Sequence, residues 1–205
     1  ILIDDINKIC KKSWVKADDQ IWMIGLPLEN NINQDERISL SASSFLEYIH
    51  GLKTGRPPEI DLNLEKQVHA FLREIIQKSI INSAHDLGDG VLAVAIAECC
   101  ISSGYGAKIF LPPSQSRLDR LLFAEGGARV LVSCSTDQSV ELKKYYKNIS
   151  LQGSNLFSIS HLGNVNNQKK LLVSQSNNTI IDVNILDLKD TYKDAIHKKI
   201  TKSNH

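Results

Sequence analysis

Residues 80–98 read Ile-Ile-Asn-Ser-Ala-His-Asp-Leu-Gly-Asp-Gly-Val-Leu-Ala-Val-Ala-Ile-Ala-Glu, and this is the most informative stretch of the chain. Its first part, Ile80–Asp86, predicts a short strand that runs into a Gly-Asp-Gly loop. From Val91 to Cys100 the residues are apolar nearly all round the helical period, which predicts a helix buried on most sides. The stretch therefore predicts a strand, an acidic glycine loop and a buried helix, in that order.

Helical and extended patterns also mix on both sides of this stretch. Before it, the sequence predicts short strands at Ile1–Ile3 and Gln20–Leu26, a helix within Ser41–Gly51 and an amphipathic helix over Leu64–Ile76, with His69 on its solvated face. After it, the sequence predicts strands at Ala107–Pro112 and Ala128–Ser133, with a helix at Arg117–Ala124 between them. A helix at Asp137–Lys147 follows. The last elements are a meander of strands at Leu156–His161, Lys170–Ser174 and Thr179–Val183, and a terminal helix over Ile185–Ile196. This order predicts an α+β fold, a layered α/β domain with a mixed sheet covered by helices.

The composition narrows the class of protein. The 205 residues include 24 Lys and Arg against 23 Asp and Glu, so no large excess of charge favours nucleic acid or an anionic membrane as a partner. No apolar run reaches the roughly 20 residues that span a bilayer, and no signal peptide opens the chain, so we expect a cytoplasmic protein. The sequence begins with Ile1 and not with methionine, so we interpret this start as a cut within a longer polypeptide.

The spacing of the four cysteines is typical of neither a disulfide framework nor a metal site. Cys10, Cys99, Cys100 and Cys134 include no C-x-x-C pair, and two of them lie in the apolar helical run. We therefore expect reduced thiols in the core.

The Gly-Asp-Gly loop carries the first candidate site. Gly88 and Gly90 would let backbone N–H groups approach phosphate oxygens near a helix N-terminus, and Asp86 could hold the Mg²⁺ that accompanies a nucleotide. The alternative is that Asp86 or Asp89 only caps the following helix.

A second glycine loop lies within Leu121–Arg129, where glycines stand beside a carboxylate and a guanidinium. The alternative for this loop is a helix C-cap at Gly126, with Glu125 and Arg129 exposed on the surface. His85, His161 and Cys134 lie in separate segments and build no nucleophile, so the sequence predicts no catalytic residue in this chain.

The stretch Ile80–Glu98 resembles the Ser-Ala-His-Asp-x-Ser-Asp/Glu-Gly-Gly-Leu motif near the end of the phosphoribosylformylglycinamidine synthases, in their synthetase subunit. Gly55–Leu62, Leu122–Arg129 and the Leu188–Ile196 helix match the same family in the right order, so the resemblance spans almost the whole chain. It implies a C-terminal domain of the AIR synthase-related type at residues 20–205, after a tail of a preceding domain at residues 1–19.

Enzymes of that family are ligases of purine biosynthesis, which convert formylglycinamide ribonucleotide to its amidine with ATP, Mg²⁺ and ammonia from a glutaminase partner. The resemblance implies that the catalytic residues lie in the preceding domains of the same polypeptide, so this chain alone would be inactive. It also implies a pseudo-symmetric site, which holds ADP in long-form relatives, with Asp86 on magnesium and Gly88 and Gly90 on the nucleotide.

The chain departs from the motif at two positions, where Gly88 replaces a serine and Val91 replaces a glycine. The loss of the hydroxyl removes a hydrogen-bonding group worth about 1 kcal/mol and favours a structural use of the loop. Two other functions stay open. One is a domain of a sister ATP-using enzyme, such as aminoimidazole ribonucleotide synthetase, selenophosphate synthetase or thiamine-phosphate kinase. The other is an interaction domain that binds no nucleotide.

Overall fold

The computed structural model describes residues 5–28, 35–88, 91–114, 116–151, 153 and 156–202. A short 3-10 helix covers Ile6–Lys8. The described strands are β1 (Gln20–Gly25), β2 (Ser83–Asp86), β3 (Gly106–Leu111), β4 (Val130–Cys134), β5 (Ser158–Asn166), β6 (Lys170–Gln175) and β7 (Asn178–Asn184). The described α-helices are α1 (Ser44–His50), α2 (Leu62–Gln77), α3 (Val91–Ser103), α4 (Leu118–Phe123), α5 (Thr136–Ser150) and α6 (Ile185–Lys202). The predicted strand at Ile1–Ile3 lies outside the described residues.

All of these strands belong to one sheet, in the order β2-β4-β1-β5-β3-β6-β7. The strand β1 is antiparallel to both of its neighbours, β4 and β5, whereas β3 and β6 run parallel. The sheet is therefore mixed, as predicted from the sequence.

The predicted meander of the last three strands is wrong in one respect, because β3 lies between β5 and β6. Gly106 lets β3 fit there: a Cβ atom at this position would lie 2.4 Å from Asn166 Oδ1 and 2.6 Å from the Lys170 carbonyl oxygen. Only a residue without a side chain allows both neighbours to approach so closely. The pair β6 and β7 does form the predicted antiparallel hairpin.

Helices cover both faces of the sheet. On one face, Trp22 of β1 lies under α5, with the Lys143 ammonium 5.1 Å from the indole ring centroid. The pairing register aligns Trp22 with Val132 and His85 with Leu131, so His85 points to the opposite face. There it contacts Glu98 of α3. The expected layered α+β domain is thus confirmed.

The two central helices differ as their sequences predict. The helix α2 buries one stripe, which consists of Leu64, Val68, Phe71 and Ile75, and His69 is exposed on the other side. By contrast, α3 buries Val91, Leu92, Ala95, Ile96, Cys99 and Cys100. The helix α1 ends at Gly51, which adopts the left-handed φ of 68° that favours glycine.

The segment before β1 packs against the sheet. Ala84 N–H donates to the Lys11 carbonyl oxygen, Val165 N–H donates to the Asp19 carbonyl oxygen, and Trp14 is buried. The domain boundary between residues 19 and 20 stays a prediction. Within the described residues, no helix is both long and apolar enough to cross a bilayer.

The cysteines are free thiols, as predicted. Cys99, Cys100 and Cys134 are buried, and Cys10 is half-buried. Burial raises the pKa of Cys10 to about 11 and that of Cys134 to about 12, so all of these sulfurs stay protonated and unreactive at neutral pH.

Candidate functional site

The first glycine loop begins where β2 ends. The Asp86 side chain is 89% exposed, whereas the His85 side chain beside it is 10% exposed. The His85 ring lies between the Asp86 carbonyl oxygen, 2.6 Å from Nδ1, and Glu98 Oε2, 3.1 Å from Nε2. His85 therefore ties the end of β2 to α3. Its Nδ1 also lies 3.7 Å from Asp86 Oδ1, while most of the Asp86 side chain faces solvent.

The structure describes Gly88 of this loop but not Gly90. A Cβ atom on Gly88 would meet only Asp86 Oδ2, at 3.4 Å, so the space there admits a side chain. Gly90 and Asp89 lie outside the described residues, so their roles stay predictions. The alternative that Asp86 or Asp89 caps α3 stays a prediction, because residues 89 and 90, directly before this helix, lie outside the described residues.

Val91 at the start of α3 has a φ of 50°, which is rare for a β-branched residue. Its N–H donates to the Gly88 carbonyl oxygen at 3.1 Å, and its side chain is buried in the core. The motif that this stretch resembles has a glycine at the same position. The backbone thus retains a glycine-type conformation although the residue has changed.

The second glycine loop is not a helix C-cap. The helix α4 ends at Phe123, and its cap residue is Ala124, in an extended conformation. Gly126 and Gly127 follow with φ values of 98° and 86°. A Cβ atom on Gly126 would lie 2.3 Å from the Arg37 carbonyl oxygen, so the loop is pressed against the segment before α1. The predicted C-cap at Gly126 is therefore wrong.

Arg129 and Glu125 are not surface charges, contrary to the sequence-based alternative. Arg129 is 4% exposed, and its Nε donates to the Gly126 carbonyl oxygen at 3.0 Å while Nη2 donates to that of Ala124. Burial lowers the pKa of Arg129 to about 10, so its guanidinium remains charged at neutral pH. Glu125 Oε1 accepts a hydrogen bond from Ser44 N–H at 2.9 Å, at the start of α1.

Arg37 holds the neighbouring segment in place. Its Nη2 donates to Asp35 Oδ2 at 2.8 Å and its Nη1 to Asp61 Oδ2 at 3.1 Å. The hydrogen bond from Arg37 lowers the pKa of Asp35. Asp61 also caps α2 by accepting from Asn63 N–H and Leu64 N–H, which lowers its pKa. This network fixes the start of α2 next to the second glycine loop.

The two loops line one cavity of about 240 Å³. Asp86 and Leu87 form one side, residues 126–130 form another, and Glu65, Val68 and His69 of α2 close it. An adjoining cavity of about 230 Å³ shares Glu65, Gly126 and Gly127 and extends to Arg37. The structure therefore brings Asp86 to the cavity, whereas Gly88 is not among its lining residues.

The cavity combines negative and positive groups. Glu65 and Asp86 contribute carboxylates, and His69 Nε2 lies 3.5 Å from Glu65 Oε2. Arg129 supplies the buried positive charge. In the part of the chain that the structure describes, no group of three or more His, Cys, Asp or Glu side chains could hold a metal ion. Asp86 could thus supply one oxygen to Mg²⁺, which often takes its other ligands from phosphates and water.

Comparisons with known proteins agree with this architecture. Residues 16–148 match the family described as AIR synthase related protein, C-terminal domain, and the chain belongs to that family. It is 94% identical over 201 residues to "Phosphoribosylformylglycinamidine synthase subunit PurL" of Prochlorococcus marinus (strain NATL1A), a match that covers 98% of this chain and 25% of the relative. The chain therefore spans about a quarter of the length of the curated relatives that it matches.

Solved structures show the same fold. "T. maritima PurL complexed with FGAR" matches with a TM-score of 0.70 and 18% identity, over 90% of this chain and 30% of that one. "T. maritima PurL complexed with ATP" matches with a TM-score of 0.66 and 15% identity, over 90% and 28%. At these identities the match establishes the architecture, including the mixed sheet and its helical layers.

Proposed function

We propose that this chain is the C-terminal part of an ATP-dependent phosphoribosylformylglycinamidine synthase of the cytoplasm. The observation that carries the proposal is its 94% identity, over almost its whole length, to a relative of that name. The complete enzyme would convert formylglycinamide ribonucleotide to its amidine in purine biosynthesis, with ATP, Mg²⁺ and ammonia from a glutaminase subunit. Residues 1–19 would belong to the tail of the preceding domain.

The isolated chain would not catalyse this reaction. Its described residues hold no cluster of metal-ligating side chains, and its buried thiols are unreactive. The preceding domains of the same polypeptide would supply the catalytic groups. We therefore expect no amidine product when the chain is incubated with ATP, Mg²⁺, ammonia and formylglycinamide ribonucleotide.

The contribution of this chain would be a Mg-nucleotide site, with Asp86 on the metal and the Gly88 and Gly90 loop near the nucleotide. Two features support it. Asp86 is exposed at a cavity, and a buried positive charge lies at the same cavity. A carboxylate and a guanidinium around one space suit a metal ion together with its phosphate groups.

Calorimetry with MgADP tests this site. We expect the chain to bind MgADP and Asp86→Ala to weaken binding by about tenfold, the equivalent of 1.4 kcal/mol. Asp190→Ala is the matched control, because Asp190 is an exposed carboxylate on α6 outside the cavity lining. An unmodified chain that binds no MgADP, or equal affinities for wild type and Asp86→Ala, would contradict the proposal.

A second candidate function is a packing domain without a nucleotide. It is favoured by exposed apolar side chains near the C-terminal end of α1 and the N-terminal end of α2, where Ile49 is 60%, Ile60 77% and Leu62 76% exposed. Such side chains suit contact with the rest of a longer polypeptide. The same calorimetry separates the two candidates, because a packing domain would show no heat with MgADP.

A further inference from the structure

Arg129 is a buried charge for which the described residues show no ion pair. Its side chain is 4% exposed, and burial is the cause that shifts its pKa. Within the described residues, its Nη1 has no hydrogen-bond partner, and its two bonded nitrogens contact neutral carbonyl oxygens. A buried charge that lacks a partner is costly, so native proteins pair such charges with an opposite one or with a ligand.

Arg129 also fixes the backbone that lines the cavity. Its hydrogen bonds to the carbonyl oxygens of Ala124 and Gly126 hold a run of three residues, Gly126–Ala128, with φ values of 98°, 86° and 45°. Within the described residues, the N–H groups of these three residues donate to no backbone carbonyl oxygen. Successive free N–H groups in a concave loop are a common binding arrangement for phosphate oxygens.

We propose that the Gly126–Arg129 loop binds the phosphate groups of a metal-chelated polyphosphate and that Arg129 is its positioning residue. The free N–H groups would contact the phosphate oxygens, and the guanidinium would add positive potential behind them. Because Nη1 is itself buried, Arg129 acts through its charge and through the loop that it holds. The inference rests on the proposed nucleotide function for the identity of the ligand.

The charges of the cavity favour a metal-chelated ligand over a bare anion. Glu65 and Asp86 lie on the walls around the loop and would repel phosphate alone. A divalent cation near Asp86 would neutralise this repulsion and link the two loops through one ligand. A cavity of about 240 Å³ is large enough for two phosphate groups and an ion.

Calorimetry with magnesium pyrophosphate tests the loop directly. We expect the 205-residue chain to bind this probe and Arg129→Met to weaken binding by at least about tenfold. Arg129→Lys, which keeps the charge but not the forked pair of donors that holds the loop, should lose clearly less affinity than Arg129→Met. Arg117→Met is the matched control, because Arg117 is 79% exposed on the side chain and pairs with Asp119. Equal affinities for wild type and Arg129→Met, or a loss in Arg129→Lys as large as in Arg129→Met, would overturn the proposal.

A measurement on the unmodified chain covers the case in which Arg129→Met does not fold. Titration with magnesium pyrophosphate should shift the amide NMR signals of Gly126, Gly127 and Ala128. Those of Gly51 and Gly104, which lie in open surroundings, should not move. Shifts that exclude the Gly126–Ala128 amides would overturn the proposal.

The outcomes separate this inference from the proposed function. If MgADP binds wild type and Arg129→Met equally, the inference fails and the nucleotide function stands. If pyrophosphate binding depends on Arg129 but MgADP does not bind, the phosphate site stands and the nucleotide function fails.

Discussion

The two glycine loops of the cavity differ in how firmly the fold holds them. The loop after β2 matches the stronger sequence motif, yet Asp86 is 89% exposed on its side chain and Gly88 leaves room for a Cβ atom. The loop before β4 is the weaker sequence signal, yet it contains a buried guanidinium and a glycine in close contact with Arg37. A motif indicates which residue types are present, whereas burial shows which of them the fold positions.

Sheet topology explains this difference. The strand β2 is an edge strand, whereas β4 lies between β2 and β1. The loop that leads into β4 is therefore covered by neighbours. A Cβ atom on Gly25, at the end of β1, would lie 2.4 Å from the Ala128 carbonyl oxygen. At the end of β2, by contrast, a Cβ atom on Gly88 would meet only Asp86 Oδ2, at 3.4 Å.

The largest predicted effect is a difference in protein stability between glycine variants of the two loops. We expect Gly126→Ala to lower the free energy of unfolding by about 3 kcal/mol, because Ala would combine a left-handed φ with a clash against the Arg37 carbonyl oxygen. Gly88→Ala should change it by less than about 0.5 kcal/mol, since neither problem arises there. Urea unfolding of both variants checks this. Similar losses of unfolding free energy in the two variants would contradict the difference in rigidity between the two loops.

A smaller effect concerns the chemistry of the first loop. Gly88→Ser would place a hydroxyl beside Asp86 Oδ2, because the Cβ position lies 3.4 Å from that oxygen. From this position the hydroxyl could donate a hydrogen bond to a nucleotide held at the loop, which contributes about 1 kcal/mol, so MgADP should bind about fivefold more tightly. Gly88→Ala is the control and should give no gain in calorimetry. An unchanged affinity in Gly88→Ser would mean that the first loop does not contact the nucleotide.

Local patterns predicted most of the elements. The apolar spacing of Leu64, Val68 and Ile75 placed α2 correctly, and Gly51 correctly marked the end of α1. These features depend on residues close together in the chain. The insertion of β3 between β5 and β6 depends instead on contacts of Gly106 with two distant segments. Sequence spacing alone cannot show such pairings.

The candidate site was predicted less completely for the same reason. Asp86 was found because its motif is continuous in sequence, and the cavity does include it. Arg129 was interpreted as a surface charge, because an arginine between a glycine pair and a strand has no local sign of burial. Its position directly before the buried residues Val130–Cys134 was the available signal. The carbonyl oxygens that it contacts become acceptors only when the loop folds back.

We expect both loops to contact one Mg-nucleotide in one cavity. The most direct measurement is an amide NMR titration of the unmodified chain with MgADP, which follows Gly88 and Gly127 together. Both signals should shift and saturate with the same dissociation constant. Movement of one signal without the other, or two different dissociation constants, would contradict it.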